Sequence, residues 1–334
     1  MRKTFYLFNP GRLSRKDNTL KFVATDEDGN EQPPKYIPVE GVSDLYVFGA
    51  LDANSSLYNF LAKNGITVHF FDYYEHYTGS FMPKDYLLAG KMQVEQTLAY
   101  YDKKRRQDIA CRLIDGASAN MLRNLRYYAN REKDLDLEIE RIEMYRASIG
   151  GSIRIDELMG IEGNIRQTYY DAFDIILSDL AMGGRTKQPP LNEVNALISF
   201  GNMMCYTLCL DMIYHTQLNP TISFLHEPGT RRYSLALDLA EVFKPLLVDR
   251  VIFRVINKKE VQSSDFDVHT NGCTLKEKGK KAFIRAFEER LGETIQHRTM
   301  KKKVSYKHLV KLECYKLVKH ILKIEEYKPF KIWW

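Results

Sequence analysis

Cysteine is scarce in this 334-residue chain: five residues, at positions 111, 205, 209, 273 and 314, with no CxxC pair. That excludes a disulfide-dense framework and points to a reducing, cytoplasmic compartment. No uninterrupted apolar run approaches the roughly 20 residues needed to cross a bilayer. The opening Met1-Arg2-Lys3-Thr4-Phe5-Tyr6-Leu7 has no apolar stretch leading to a small-residue cleavage site. No membrane partner is therefore expected. A disorder-promoting composition is also absent, since 44% of residues are hydrophobic and 28% charged. Acidic residues are the scarcer charge, 43 against 49 basic ones, and the deficit is local. From Lys276 to Trp334 there are 17 Lys and Arg against 7 Asp and Glu, so the rest of the chain is slightly acidic. A basic C-terminal segment on an acidic body suggests a polyanion-facing surface, with a solvated lysine-rich helix face as the plainer reading.

At this length a single core is near its practical limit, and two domains are expected. The first 85 residues read as β-rich. Thr4–Phe8, Thr19–Val23, Lys35–Val39, Asp44–Phe48 and Ile66–Phe71 are short apolar or aromatic runs separated by turn signals such as Asn9-Pro10-Gly11. One amphipathic helix, Ser55 to Asn64, interrupts them, with Gly65 placed to cap its C-terminus. After Pro83 the texture changes, and apolar residues recur at helical spacing from Tyr86 to Tyr128. Further helices are expected over 135–149, 156–180, 192–216, 235–243, 245–257, 275–295 and 305–324, with a basic loop at 183–190. The fold class is α+β: a small N-terminal β-rich domain (1–85) followed by a larger all-α domain (86–334).

The stretch Phe224-Leu225-His226-Glu227-Pro228-Gly229 places His226 on a turn, and Ser234 is a candidate N-cap for the helix that follows. On that helix Asp238 and Glu241 are three apart, so both carboxylates share a face flanked by leucines. Two like charges held close on an apolar face are costly unless a cation neutralises them. An imidazole with carboxylate oxygens suits Mn²⁺ or Mg²⁺ better than zinc. The alternative is a backbone-satisfied His226 and simple pairing of the acids with Arg231, Arg232 or Lys244. Glu162 lies between Gly160 and Gly163, which would let a ligand backbone approach closely, with Arg166 four residues on. A plain i,i+4 ion pair is again the alternative.

Three motifs together are recognisable. Glu-Gly-x-x-Arg-x-x-Tyr at 162–169, Leu-His at 225–226 and Ser-Leu-Ala-Leu-Asp-Leu-x-Glu-x-Phe-Lys-Pro at 234–245 closely resemble the CRISPR-associated spacer-acquisition integrase family. The likeness runs almost end to end, through Gly41–Gly49, Leu191–Gly201 and Cys273–Lys276. It implies an N-terminal β-domain serving dimerisation, partner and DNA contacts, a helical catalytic domain, and a homodimer that assembles with the small ferredoxin-like "number two" protein. It also implies a metal-dependent reaction that joins the 3′-hydroxyl ends of protospacer DNA to a CRISPR repeat. Carried over residue by residue, the family's metal ligands fall on Glu162, His226 and Glu241, with Asp238 as the neighbouring catalytic acid. Many members have Asp where this chain has Glu241.

Basic and aromatic residues near these motifs are the candidate DNA contacts. Arg166, Arg231 and Arg232 would hold phosphates, Arg185 lies in the basic loop, and Tyr169 would stack on an unpaired base. Lys301-Lys302-Lys303 would contact duplex DNA or serve solubility. Two other functions stay open at this level, a metal-dependent DNase acting on branched DNA and a non-catalytic DNA-binding scaffold.

Overall fold

The computed structural model describes residues 2–26, 28–84, 89–152, 154–230, 232–269, 272–297 and 300–333. The chain divides into two compact units, Met1–Leu88 and Ala89–Trp334.

The first unit holds β1 (Lys3–Leu7), β2 (Gly11–Lys16), β3 (Thr19–Ala24), β4 (Lys35–Pro38), β5 (Val42–Val47), β6 (Leu51–Asp52), α1 (Ser55–Lys63), β7 (Thr67–Phe71) and β8 (Tyr77–Phe81). They form two four-stranded sheets, ordered β1-β5-β7-β8 and β4-β3-β2-β6. In the first sheet β1, β5 and β7 run parallel and β8 antiparallel. A parallel strand needs cover on both faces, and β5 accordingly buries four consecutive residues, Asp44 to Val47. α1 begins where the Asn54 side chain accepts the Leu57 amide at 3.0 Å, and Gly65 follows its end in a left-handed conformation (φ +67°).

The second unit is largely helical: α2 (Gly90–Tyr101), α3 (Lys103–Ala129), α4 (Asp136–Ala147), α5 (Ile155–Asp171), α6 (Phe173–Ile176), α7 (Glu193–Tyr214), α8 (Ser234–Lys244), α9 (Arg250–Asn257), α10 (Glu277–Gly292) and α11 (Tyr306–Ile321). A π-helical turn, Pro245–Asp249, joins α8 to α9. The unit is not all-α as expected. Two antiparallel ribbons interrupt it, β9 (Phe266–His269) with β10 (Gly272–Leu275), and β11 (Thr294–Gln296) with β12 (Lys303–Ser305). Their strands are only three or four residues long and half-exposed, so they carry little apolar alternation to read.

α7 is the core helix. It buries residues all round its axis, as its continuous apolar sequence requires. It is long and apolar enough to cross a membrane, but 78% of that stretch is buried within the protein. α8 packs between α3 and α7. Gly201 on α7 permits the π-helical turn to close in, because a Cβ there would lie 2.4 Å from Val248 Cγ1. Behind α8 the C-terminal segment crosses α3, where a Cβ at Gly116 would lie 2.6 Å from Pro329 Cβ. The buried Asn120 side chain ties that segment to α8. It donates to the Val242 and Phe330 carbonyls, both at 3.0 Å, and accepts the Ile332 amide at 2.9 Å. Glu313, fully buried on α11, accepts the Tyr327 hydroxyl at 2.8 Å and the Phe330 amide at 2.9 Å.

Candidate active site

Asp238 organises the turn that carries His226. Its carboxylate is fully buried and accepts the Phe224, Leu225 and His226 amides at 2.7, 3.0 and 2.9 Å, and His226 Nδ1 at 2.8 Å. Four donors compensate the cost of burying this charge. A carboxylate acceptor fixes the proton on Nδ1, which leaves Nε2 as the ring's other, electron-pair-bearing nitrogen. Burial alone would lower the His226 pKa, and the Asp238 carboxylate more than reverses that, raising it above the ordinary histidine value. Ser234, the expected N-cap, is the first residue of α8. Its hydroxyl donates to the Thr221 carbonyl at 2.8 Å and so joins the two ends of the loop before α8.

One turn further along α8, Glu241 meets α5. Arg166 donates Nε to Glu162 Oε1 at 2.5 Å and Nη2 to Glu241 Oε2, so a single guanidinium bridges carboxylates from two helices. Lys244 holds the other oxygen of Glu241 at 2.7 Å. The Glu162, Arg166, Glu241 and Lys244 side chains are between 7% and 17% exposed. Burial would push the Glu241 carboxyl up, but Arg166 and Lys244 hold it down at about 2. Beneath them the Asn124 amide donates to the Tyr169 hydroxyl at 2.8 Å and to the Pro245 carbonyl at 2.7 Å, while its oxygen accepts Arg250 Nε at 2.7 Å. Asp249, buried beside this network, is pushed up to about 7, chiefly by desolvation.

The expected residues are thus partly assembled. His226 with Asp238, and Glu162 with Glu241 through Arg166, form two hydrogen-bonded groups, and α8 contributes one carboxylate to each. The three-ligand cluster expected from Glu162, His226 and Glu241 is not gathered, and among the described residues no three His, Cys, Asp or Glu side chains are grouped to hold a metal ion. The physical reason is charge: Glu162 and Glu241 are joined through Arg166 rather than drawn to a shared centre. The donor chemistry nevertheless suits a divalent cation, since it offers two carboxylates, one imidazole nitrogen and no thiolate.

The DNA contacts read from the sequence need correction. Tyr169 is fully buried and hydrogen-bonded to Asn124, so it is a core residue and not a stacking platform. Arg185 is spent inside the protein, donating to Asn195 Oδ1 at 2.9 Å and Ser199 Oγ at 3.1 Å, which pins the 183–190 loop to α7. Arg166 is engaged with carboxylates. Arg232 is exposed and donates to the Glu227 carbonyl at 2.8 Å. Arg231 lies outside the described residues. Gly160 and Gly163 sit within α5 on either side of Glu162, and a Cβ at either would meet nothing within 4 Å. An open helix face therefore flanks Glu162.

Sequence reasoning missed one group. Arg106 on α3 donates Nε to the Phe224 carbonyl at 3.0 Å and Nη2 to Glu227 at 2.5 Å, while Tyr100 donates to the other oxygen of Glu227 at 2.9 Å. These residues brace the far side of the His226 turn across more than 115 positions of sequence, so no local pattern could reveal them.

The profile of the CRISPR associated protein Cas1 family matches residues 5–289. The chain belongs to the Cas1 family. It is 46% identical over 333 residues to the CRISPR-associated endonuclease Cas1 3 of Thermodesulfovibrio yellowstonii, spanning 99% of this chain and 100% of that one. Among solved structures it is similar to a Cas1 protein from Thermotoga maritima, with a TM-score of 0.85 and 37% identity over 97% of this chain and 98% of that chain. The Cas1 fold also extends to a casposase bound to integration product, with a TM-score of 0.83 at 18% identity over 99% and 94% of the two chains. The likeness in that case is one of fold alone. The Cas1 profile reaches Glu241 and α8 but stops inside α10, before β11, β12 and α11.

Proposed function

We propose that this Cas1-family chain is a metal-dependent DNA integrase and endonuclease of CRISPR adaptation, joining protospacer 3′-hydroxyl ends to the CRISPR repeat by transesterification. It would work as a homodimer with the small ferredoxin-like number two protein, the partner implied by the motifs at 162–169, 225–226 and 234–245. The observation that carries this reading is that one buried helix, α8, supplies both the Asp238 carboxylate that locks the His226 imidazole and the Glu241 carboxylate that Arg166 links to Glu162.

Glu162, His226 and Glu241 would hold a Mn²⁺ or Mg²⁺ ion. When bound, such an ion supplies a lowered pKa for the attacking hydroxyl and neutralises charge on the phosphate oxygens. The chain's own residues do the rest. Asp238 keeps the His226 ring in one orientation and one tautomer, so that the electron pair of Nε2 is available. The glycine-flanked face of α5 gives a sugar-phosphate backbone room beside Glu162. Arg232, exposed at the mouth of the turn, is a phosphate contact that carries no sequence preference. Exchanging one phosphodiester for another is nearly thermoneutral, so the site needs no nucleotide hydrolysis. Water in place of the 3′-hydroxyl gives hydrolysis at the same site, and the endonuclease name of the Thermodesulfovibrio relative favours that as a second activity.

The test is an integration assay with labelled protospacer, repeat DNA and the number two protein, with Mn²⁺ or with chelator. Glu162→Gln, His226→Ala and Glu241→Gln are each expected to lower joining by about two orders of magnitude or more while DNA binding persists. Joining at the parental rate by all three variants would remove the assignment.

A further inference from the structure

The two carboxylates of the site are already neutralised by side chains of the same chain. Arg166 spans Glu162 and Glu241 with two different nitrogens, Nε at 2.5 Å from Glu162 Oε1 and Nη2 on Glu241 Oε2. Lys244 takes Glu241 Oε1 at 2.7 Å. Both oxygens of Glu241 are thereby occupied by cations, and its side chain is only 7% exposed. A pair of acids held this close in a desolvated place needs positive charge to keep the fold intact. No third His, Cys, Asp or Glu joins them among the described residues.

We propose that Arg166 and Lys244 are built-in counter-cations. They hold Glu162 and Glu241 when no divalent ion is bound, and they must be released from the carboxylate oxygens when one binds. Metal uptake at this site is therefore an exchange of cations, and its affinity is set by the competition of the guanidinium and ammonium groups. The charge count agrees. Two carboxylates with Arg166 and Lys244 are neutral in total, so a divalent ion can replace both cations without leaving net charge at the buried oxygens. The exchange also gives Arg166 two tasks in turn, since a guanidinium freed from Glu162 and Glu241 at the open face of α5 is placed to pair with a phosphate. This inference rests on the reading of Glu162, His226 and Glu241 as the metal site.

The test measures binding, not turnover. Mn²⁺ is titrated into the full chain and free ion is followed by electron paramagnetic resonance, for the parent, Arg166→Gln, Lys244→Gln and Glu162→Gln. Arg166→Gln is expected to bind Mn²⁺ about tenfold tighter than the parent or better. Without metal it should melt below the parent, and saturating Mn²⁺ should raise its melting temperature by more than it raises the parent's. Lys244→Gln carries the same expectation with a smaller gain, and decides the matter if Arg166→Gln gives no cooperative melt. Unchanged or weaker Mn²⁺ binding in the folded variants overturns the exchange while leaving the metal site standing, provided Glu162→Gln has lost the ion. Retention of Mn²⁺ by Glu162→Gln, or no binding by any of these proteins, overturns the site reading and the exchange together.

Discussion

Asp238 shows how much a single buried side chain can organise. It accepts three successive amides and one ring nitrogen, so the loop before α8 and the imidazole are fixed by the same carboxylate. The pH dependence follows from the raised His226 pKa. Stability from the His226–Asp238 pair is fully present below the ordinary histidine value and is lost as pH rises through the higher folded value. DNA joining should run the other way over the same span, because only the neutral ring offers Nε2 as an electron-pair donor. Melting temperature and initial joining rate measured between about pH 6 and 9 should cross in this manner. Asp238→Asn should shift the rate profile toward lower pH, and a profile that stays put would show that another group governs it. The motifs that bear the acids, the imidazole and Arg166 were legible at this scale because each is short, whereas the bridge that Arg166 makes between Glu162 and Glu241 was not. What each side chain does was less so. Tyr169 and Arg185 read as surface contacts because aromatic and basic residues near a site usually suggest them, and only the burial of Tyr169 and the hydrogen bonds of Arg185 to Asn195 and Ser199 show otherwise.

Elements were read well where one period persists. α7, α8 and α11 run close to their expected limits because apolar faces and clear stops define them, whereas the single helical stretch expected from Tyr86 to Tyr128 is divided into α2 and α3 at Asp102, which caps α3. The two ribbons were missed because strands of three or four residues, one bearing the exposed Val268, have no alternation to detect. Contacts between elements were not legible at all. Gly201 is one such contact: in sequence it is a glycine in an apolar helix, and in the structure it admits Val248 and Phe283. Gly201→Val should overfill this contact and cost about 1–3 kcal/mol of unfolding free energy. Chemical denaturation would read this as a lower midpoint at unchanged slope. A midpoint equal to the parent's would mean that α7 and the π-helical turn can part without loss.

For the molecule as a whole, positive charge is concentrated toward the C-terminus. The basic excess begins near Lys276, and most of it lies beyond residue 289, where the Cas1 profile ends. Some of it is paired within the chain, as when Lys316 binds the buried Glu313 and Lys331 binds Asp115 at the surface. Lys301, Lys302 and Lys303, at the end of the β11–β12 ribbon, are exposed. Replacing all three with alanine should weaken binding to any DNA duplex without regard to sequence, and should flatten the dependence of log K on log salt by about 0.9 for each phosphate contact removed. Binding titrations at several salt concentrations measure that slope, and an unaltered slope would mean that these lysines serve solubility alone.

The π-helical turn at Pro245–Asp249 has a consequence for how the chain tolerates editing. Such a turn is an ordinary helix carrying one surplus residue. Deleting any one of its five residues would let the backbone relax to regular geometry and turn α9 about its axis by about 100°, swinging Arg250 off Asn124 and unseating the support under Tyr169. A one-codon deletion here would therefore reach α9 and the Asn124 network, whereas a substitution that keeps the chain length is felt only by the side chains around it.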